Sequence, residues 1–466
     1  MTKKEHQAAA DASIAASSID SEIEHTCHTV EGAFKRTGTY LQFKKYVKAV
    51  ASNLEKRNAW TIAKYVGDRN PFKCQRLLNT NVWDEDEVMY ESRTRTIEQL
   101  RAAAPRRALT IFAFDETGQE KSGDKTAGVK RQYMGCAGQV ANGINTVHMS
   151  FNIEGTGHAI INARQWIPSE HIEDEKTAEQ AGLPEDIVFK TKGQLAAEMF
   201  IQVHDEGHRS DFVVGDEVYG SSPDLREAAE ARGQGYVLRV PSNYAFTTQA
   251  GTVITAKQAV KKFLKGRKRW TVDSCGDGSK GARLYAWAWV ATDSPRHHIV
   301  VRRHLSKGEC DYYYCHVPEG RPARLKDLIT AVGLRWPVEE CFEFGKDYFG
   351  LDQSQVRVYR AIKRYTIIVI VVLGIFAVTA AEMRRKTDTL APPPTSDREP
   401  RPTGFGLIPL TVGEIKTVYN GFHDTKESRA QVLHWSWWRR RHQAEARWYH
   451  IRTRLGRPVE FAQLKL

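Results

Sequence analysis

The sequence predicts an α/β protein with a helical N-terminal domain, and three observations support this fold class. From Ile14 to Ala104 apolar residues recur every three or four positions, which is the spacing of amphipathic helices. From residue 108 onward, short apolar runs that end in turn residues alternate with helical stretches, as in strand-helix-strand units. Between residues 242 and 321 the apolar period falls to two, which indicates strands. We therefore expect a sheet domain that carries a β-rich insertion.

Composition narrows the class of protein. The 466 residues are 41% hydrophobic and 27% charged, which excludes a largely disordered chain, a collagen or a membrane channel. The net charge of +12 favours a polyanionic partner. The seven cysteines include no CxxC pair, and the first 26 residues lack the apolar core of a signal peptide, so we expect a reduced, cytoplasmic protein.

Shifts in periodicity and composition divide the chain into six segments. A helical N-terminal domain covers 1–105, a sheet domain 106–241, a β-rich insertion 242–321, the return of the sheet domain 322–386, a proline-rich linker 387–405 and a basic Trp/Arg-rich region 406–466. The apolar run at 366–381 is shorter than the roughly 20 residues that span a bilayer. It predicts a buried core helix or strand and no membrane partner.

Two aspartates follow apolar runs in similar surroundings. Asp115 ends the run in FAFDETG and Asp216 ends the run in VVGDEVYG. The carboxyl ends of strands are where open sheets place reactive groups, and two adjacent carboxylates repel each other unless a cation lies between them. Oxygen ligands of this kind select Mg²⁺ or Mn²⁺. The alternative is that each aspartate only caps a turn.

A third carboxylate is available in RWPVEECFEFGKDYFG. Arg335, Glu339 and Lys346 fall at helical spacing there, so a carboxylate shares a helix face with two cations. This set suits a metal-binding acid between phosphate-binding groups. The alternatives are a salt-bridged amphipathic helix without catalytic role and, as the third acid, Glu340 in place of Glu339.

Together these segments resemble a known family. The strings FDETGQEKSGDKTAGVKRQYMG, FKTKGQLAAEM, GDEVYGSSPDLREAAEARGQGYVLRVPSN and RWPVEECFEFGKDYFGLDQSQVR occur in an order and at spacings similar to those of insertion-sequence DDE transposases. The resemblance is to the IS-four-type superfamily, closest to its seven-oh-one group, and covers nearly the whole chain.

The resemblance implies an RNase H-like catalytic domain in which Asp115, Asp216 and Glu339 are the catalytic acids and the ligands of Mg²⁺, which Mn²⁺ could replace. The first two are 101 residues apart, and Glu339 follows after a further 123, which leaves room for the insertion. It also implies a DNA transposase that nicks the ends of its element and joins the freed 3′-hydroxyl to target DNA. The superfamily signature Tyr, Arg, Glu, Lys is matched at Arg335, Glu339 and Lys346, but Val332 stands at the Tyr position.

The expected partner is double-stranded DNA, both the terminal repeats of the element and the target, bound by a dimer in a bacterial cytoplasm or nucleoid. The DNA-binding residues we predict are Arg335, Lys346, Lys261, Lys262, Arg267, Lys268, Arg269, Arg439, Arg440 and Arg441. Trp287 and Trp289 could stack on a flipped base, but their alternation favours a core role. Two alternatives remain open: a catalytically silent DNA-binding protein, and an RNase H-like nuclease that cuts without joining.

Overall fold

The computed structural model describes residues 3–278, 281–387 and 409–423. Short 3₁₀ turns cover Glu31–Ala33 and Arg267–Arg269. The α-helices in these ranges are α1 (Lys3–Thr29), α2 (Thr37–Ala51), α3 (Ala59–Tyr65), α4 (Phe72–Asn79), α5 (Glu85–Ala103), α6 (Ser169–Glu173), α7 (Glu175–Ala181), α8 (Lys192–Asp205), α9 (Glu217–Gly220), α10 (Pro223–Ala231), α11 (Ala256–Phe263), α12 (Leu325–Leu334), α13 (Pro337–Phe349), α14 (Tyr359–Thr387) and α15 (Val412–His423).

Strands occupy the middle of the chain. They are β1 (Thr110–Glu120), β2 (Lys130–Met134), β3 (Gln139–Ile153), β4 (Gly157–Trp166), β5 (Phe212–Gly215), β6 (Gly235–Val240), β7 (Ala245–Thr247), β8 (Val253–Thr255), β9 (Thr271–Gly278), β10 (Gly281–Ala291), β11 (His297–Arg303) and β12 (Cys310–His316). The mixture of helices and strands confirms the predicted α/β class.

The centre of the sheet has the strand order β4-β3-β1-β5-β6. Strand β3 is antiparallel to β1 and β4, whereas β5 is parallel to both β1 and β6. Alternate residues of β1 enter different cores: Ile111 and Ala113 pack with α12–α14, and Phe112 and Phe114 pack with α8 and α10. The sheet is therefore covered by helices on both faces.

The β-rich segment continues this sheet. Strand β12 pairs antiparallel with β6, with Tyr312 opposite Val240, and β11, β10 and β9 follow in antiparallel order. Helix α11 covers one face of these strands, over a small core that includes Ile299 and Val301. The free edge of β6 thus receives the returning chain, because an unpaired strand edge offers hydrogen-bonding groups to another strand.

Helix α14 is the central helix of the largest core. The segment Tyr359–Arg384 is long and apolar enough to cross a membrane, but 83% of its most apolar stretch is buried against the rest of the chain. It packs against α1, α5 and β4. The prediction that the apolar run at 366–381 forms a buried core element is confirmed, and the element is a helix.

The C-terminal region differs in part from the separate segment that we predicted over 406–466. Helix α15 packs against α1 and α14, and its Val412, Ile415 and Tyr419 are buried in the largest core. Asp20 accepts hydrogen bonds from Tyr419 and His423 at 3.1 and 2.7 Å. Apolar residues on one face of α15 explain this docking.

Candidate active site

Asp115 and Asp216 lie at the point where two parallel strands separate. The parallel pairing of β1 with β5 ends at Phe114 opposite Gly215, so the two aspartates occupy the next position of each chain. Asp216 begins α9, and its Oδ1 accepts a hydrogen bond from the Val218 amide at 2.9 Å. The turn capping that was the alternative for Asp216 is therefore observed, and Asp216 also lies beside Asp115.

The position of Asp115 differs in one respect from the sequence prediction. Strand β1 does not end at Asp115 but continues to Glu120, because its antiparallel pairing with β3 persists from Asp115 opposite His148 to Glu120 opposite Gly143. The pairing of β1 with β5 stops at Phe114, whereas its pairing with β3 continues to Glu120. The backbone of Asp115 is thus held by its pairing with β3 rather than by a loop.

Arg335 joins Asp115 to Glu339. Its Nη1 donates to Asp115 Oδ2 at 2.6 Å and its Nη2 donates to Glu339 Oε1 at 3.0 Å. Arg335 ends α12, and Glu339 lies in the first turn of α13. Residues more than 200 positions apart in the sequence therefore meet through one guanidinium.

The helical spacing of Arg335 and Glu339 survives a break between two helices. The sequence predicted helical spacing here, and Pro337, which lacks an amide hydrogen, divides the segment: α12 stops before it while α13 starts at it. Arg335 and Trp336 keep helical backbone angles, and the Glu339 amide donates to the Trp336 carbonyl at 2.9 Å. The i, i+4 pair of Arg335 and Glu339 is preserved for this reason.

Electrostatics couple the two aspartates. Burial raises the pKa of Asp115 to about 7, Arg335 acts in the opposite direction, and Asp216 raises it further. Burial also raises the pKa of Asp216, and the carboxylate of Glu116 adds to that shift. Carboxylates that resist ionisation in this way gain from a nearby cation.

Glu340 points away from this site. His158 Nε2 lies 3.1 Å from Glu340 Oε2, on the side of α13 that faces β4 and the end of α14. Glu339 is therefore the carboxylate of this pair that reaches Arg335 and, through it, Asp115. The assignment of Glu339 as a catalytic acid stays a prediction.

The predicted DNA-binding residues fall in three places. Lys346 is half-buried on α13, where it lines a narrow space with Thr117, Gly118 and His148. The basic residues of the insertion are all exposed, on α11 and the turn after it: Lys257, Lys261, Lys262, Lys265, Arg267, Lys268 and Arg269. Arg439, Arg440 and Arg441 lie outside the described residues.

The two candidate stacking residues differ in exposure. Trp287 is fully buried, whereas Trp289 is 37% exposed and packs against His298.

Near Asp216, Glu116 forms a cluster with Lys192 and Tyr219 that the sequence did not predict. Glu116 Oε1 accepts a hydrogen bond from Lys192 Nζ at 2.7 Å, and Glu116 Oε2 accepts one from the Tyr219 hydroxyl at 2.7 Å. Each lies in a string that carried the family resemblance. The available signal was that Glu116 follows Asp115 in a strand and must point to the other face of the sheet.

The donor set suits a hard cation such as Mg²⁺ or Mn²⁺. Asp115, Asp216 and Glu339 offer carboxylate oxygens, and burial, the main cause of the raised pKa values of both aspartates, makes their ionised forms dependent on a nearby cation. Within the described part of the chain, however, no three His, Cys, Asp or Glu side chains are grouped closely enough to hold a metal. Arg335 lies between Asp115 and Glu339.

Comparison with known proteins gives the family of the chain. Residues 31–294, more than half of the chain, match the family described as DDE superfamily endonuclease, and the chain belongs to that family. The matched region includes Asp115 and Asp216 and ends before Arg335 and Glu339. The family predicted from the sequence is confirmed.

The chain is also similar to the probable transposase for insertion sequence element IS701 of Microchaete diplosiphon, with 26% identity over 223 residues. That alignment covers 48% of this chain and 54% of the relative, so the chain spans about half the length of the curated relative it matches. Among solved structures, the piggyBac transposase in a synaptic complex with hairpin DNA is similar over 86% of this chain and 76% of that one, with a TM-score of 0.42 and 10% identity.

Proposed function

We propose that the chain is a DNA transposase that cuts the ends of its element and joins the freed 3′-hydroxyl to target DNA. The observation that carries the proposal is the meeting of Asp115, Arg335 and Glu339 beside Asp216, at the edge where β1 and β5 part. The strand order β4-β3-β1-β5-β6, with one antiparallel and one parallel half, supports an RNase H-like assignment for this domain. Membership of an endonuclease family agrees with phosphodiester chemistry.

In this proposal Asp115, Asp216 and Glu339 hold Mg²⁺ ions. When bound, these ions activate the attacking oxygen and stabilise the leaving oxygen of an in-line displacement at phosphorus. Arg335 exchanges part of its carboxylate pairing for phosphate, because a guanidinium binds either group through two parallel hydrogen bonds. Lys346 places a point charge further along the same helix, where it can hold an adjacent phosphate.

DNA is the proposed partner for the exposed basic residues of the insertion. Seven Lys or Arg residues lie within 13 positions there, and the described residues show no ion pair that would neutralise them. Each phosphate that they bind would release counterions and strengthen binding at low salt. We also propose that the protein acts as a dimer on DNA and works in the bacterial cytoplasm.

A strand-transfer assay tests this proposal. The substrate is an end duplex, defined as a labelled duplex that carries the terminal inverted repeat read from the genomic DNA beside the gene, and the target is a supercoiled plasmid. We expect Mg²⁺-dependent cleavage of the end duplex and covalent joining to the plasmid. Cleavage without joining would support a nuclease, and binding without cleavage would support a silent DNA-binding protein.

Neighbouring glutamates provide a matched pair for the third acid. Glu339→Gln should abolish cleavage, because it removes the carboxylate that pairs with Arg335. Glu340→Gln changes the same helix by the same chemical step but affects a side chain that faces His158. Loss of cleavage in Glu340→Gln alone, with an unchanged melting temperature, would overturn the assignment of Glu339.

A further inference from the structure

A second polar cluster lies on the face of the sheet opposite Arg335. Asp115 and Glu116 are consecutive in β1, so their side chains point to opposite faces. Arg335 approaches Asp115 from the side of α12 and α13, and Lys192 approaches Glu116 from the first turn of α8. Cations therefore flank the carboxylate-bearing edge from both faces of the sheet.

Asp216 lies near both Glu116 and Arg335, one residue from each face of the sheet. Burial is the main reason why its pKa is raised, Glu116 raises it further and Arg335 lowers it, so both neighbours act on the same carboxylate. The Tyr219 hydroxyl, three residues after Asp216, donates to Glu116. The cluster of Lys192, Glu116 and Tyr219 is thus connected to the proposed catalytic edge through the chain as well as through space.

Close packing fixes the position of this cluster. A Cβ atom at Gly215 would lie 2.8 Å from Cβ of Tyr219, so the absence of a side chain there allows Tyr219 to fold back over the end of β5. A Cβ atom at Gly193 would overlap the side chain of Ser222, which presses the first turn of α8 against the segment after α9. Thr191 and Gln194 form a capping box at the start of α8, and Lys192 is therefore held on a well-defined turn.

Lys192 retains the capacity to bind a further anion. Its side chain is 23% exposed, and an ammonium group has three N–H donors, of which the bond to Glu116 uses one. A phosphodiester undergoing displacement spreads negative charge over its non-bridging oxygens, and preorganised cations stabilise that charge. A lysine that is already oriented by a carboxylate and a tyrosine meets this requirement.

We propose that Lys192 is a phosphate-binding residue of the catalytic site, and that Glu116 and Tyr219 are the positioning residues that hold it there. This inference rests on the proposed function, because it assigns Lys192 to the DNA phosphate that is cut. Lys192 and Arg335 then contact the phosphate from opposite faces of the sheet.

Single substitutions with a matched control test the role of Lys192. Lys192→Gln should lower kcat/KM for cleavage of the end duplex about 10- to 100-fold, and Lys192→Arg should recover part of the loss because it restores the positive charge. Lys190→Gln is the control, since Lys190 lies two residues earlier and pairs with Glu198 at 2.5 Å, away from Glu116. Equal cleavage by Lys192→Gln and Lys190→Gln would overturn the proposal.

A double variant separates phosphate binding from simple neutralisation of Glu116. If Lys192 only neutralises Glu116, then Glu116→Gln combined with Lys192→Gln should restore cleavage to the wild-type rate. If Lys192 binds phosphate, the double variant should remain as impaired as Lys192→Gln. Restored cleavage would therefore contradict the proposal, and a melting curve for each variant excludes a loss caused by unfolding.

Tyr219→Phe tests the positioning role. The variant keeps the ring that packs beside Phe114, 6.0 Å between centroids, but removes the hydroxyl that donates to Glu116. We expect kcat to fall several-fold with little change in KM or melting temperature, and an unchanged kcat would overturn the role of Tyr219.

Asp216→Asn separates failure of the proposed function from failure of the inference about Lys192. If Asp216→Asn cleaves normally, the proposed function fails. If Asp216→Asn is inactive and Lys192→Gln is normal, only the inference about Lys192 fails.

Discussion

Arg335 and Arg364 each join segments that are far apart in the sequence, but their partners are of different kinds. Arg335 pairs with the carboxylates of Asp115 and Glu339 and is 24% exposed. Arg364 of α14 is fully buried, donates to four backbone carbonyls between Leu77 and Trp83 and pairs with Glu85. Its guanidinium also lies 4.6 Å from the centre of the Trp83 ring.

The difference predicts a functional role for Arg335 and a structural one for Arg364. Arg364 reaches four backbone carbonyls around the end of α4 inside the core, where burial keeps water away from the guanidinium, so its bonds are permanent features of the folded state. Carboxylates at an accessible sheet edge can exchange a guanidinium for another cation, and a guanidinium can exchange carboxylate for phosphate. Burial and type of partner, rather than the presence of an ion pair, therefore distinguish the two regions.

The largest expected effect is at the catalytic edge. Asp216→Asn should reduce cleavage of the end duplex about 10⁴-fold, which corresponds to ~5.5 kcal/mol of transition-state stabilisation, because it removes a metal-binding charge and little volume. Binding of the same duplex, measured by fluorescence anisotropy, should change less than about threefold. An equal loss of binding and cleavage would indicate a structural role for Asp216.

The next effect is on stability, at Arg364. Arg364→Met should lower the free energy of unfolding by about 3–5 kcal/mol, because the carbonyls around the end of α4 lose a buried donor and Glu85 is left with its pair to Arg360 at 3.4 Å. Urea denaturation followed by circular dichroism measures this change. A decrease below ~1 kcal/mol would show that solvent or neighbouring groups replace Arg364, and the contrast with Arg335 would not hold.

Arg335→Gln should impair cleavage more than stability, which is the reverse of the effect expected for Arg364→Met. We expect cleavage to fall about 10- to 100-fold, equivalent to ~1.4–2.7 kcal/mol, because the variant lacks the positive charge and the two parallel donors with which a guanidinium binds phosphate. The free energy of unfolding should change far less than in Arg364→Met, since the carboxylates of the catalytic edge can bind a proton or another cation. Destabilisation equal to that of Arg364→Met would assign Arg335 a structural role.

Exposed lysines of the insertion and paired lysines of α2 should differ in their effect on DNA binding. Substitution of Lys261, Lys262 and Lys268 by Gln should weaken DNA binding several-fold and reduce the log-log salt slope by about 0.9 for each DNA phosphate that the variant no longer neutralises. The matched control is Lys44→Gln with Lys45→Gln, because these lysines are already paired with Glu24 and Asp68 at 2.6 and 3.3 Å. A larger change of slope in the control pair would place the DNA on the N-terminal helices instead.

The smallest expected effect concerns a third buried cation, Lys416 of α15. Burial lowers its pKa to about 8, and the nearby charge of Arg57 acts in the same direction. The unfolded chain therefore binds the proton more tightly than the folded protein between pH 8 and about 10.5, so stability contributed at this site rises with pH across that interval.

Lys416→Met should remove this pH dependence. At pH 7 the variant should be more stable than the wild type by on the order of 1–2 kcal/mol, and the difference should shrink as the pH rises from 8 to 10. Urea denaturation of both proteins at pH 7, 8, 9 and 10 measures the change. A difference that stays constant with pH would show that Lys416 is already neutral or well solvated.

Local patterns in the sequence were sufficient for several parts of the fold. The period of two that predicted strands between residues 242 and 321 is realised as β9 to β12, because that period reflects a sheet with distinct faces. The apolar run at 366–381 forms part of the core helix α14. Pro337, in contrast, divides a segment whose periodicity suggested one helix, since periodicity does not register a missing amide hydrogen.

In the candidate site, too, some residues were recognisable from local motifs and others were not. Asp115, Asp216, Arg335 and Glu339 were recognisable from short motifs, because residue type and immediate neighbours carry the chemistry. Glu116, Lys192 and Tyr219 were not, because their association depends on α8 and α9 meeting β1 across more than 70 residues of chain. No local pattern records which of several lysines will reach a given carboxylate.

By itself the sequence determined the α/β class and the family and supplied the candidate metal- and phosphate-binding residues, since these follow from local periodicity and from side-chain chemistry. Only the tertiary structure decided which of these side chains meet. It directed Glu339 rather than Glu340 to Arg335, placed Lys192 on Glu116, and joined the strands of the insertion to the edge of β6. Those choices depend on strand register, on which face of a helix is buried and on close packing at glycine, all of which are set by contacts between segments distant in the chain.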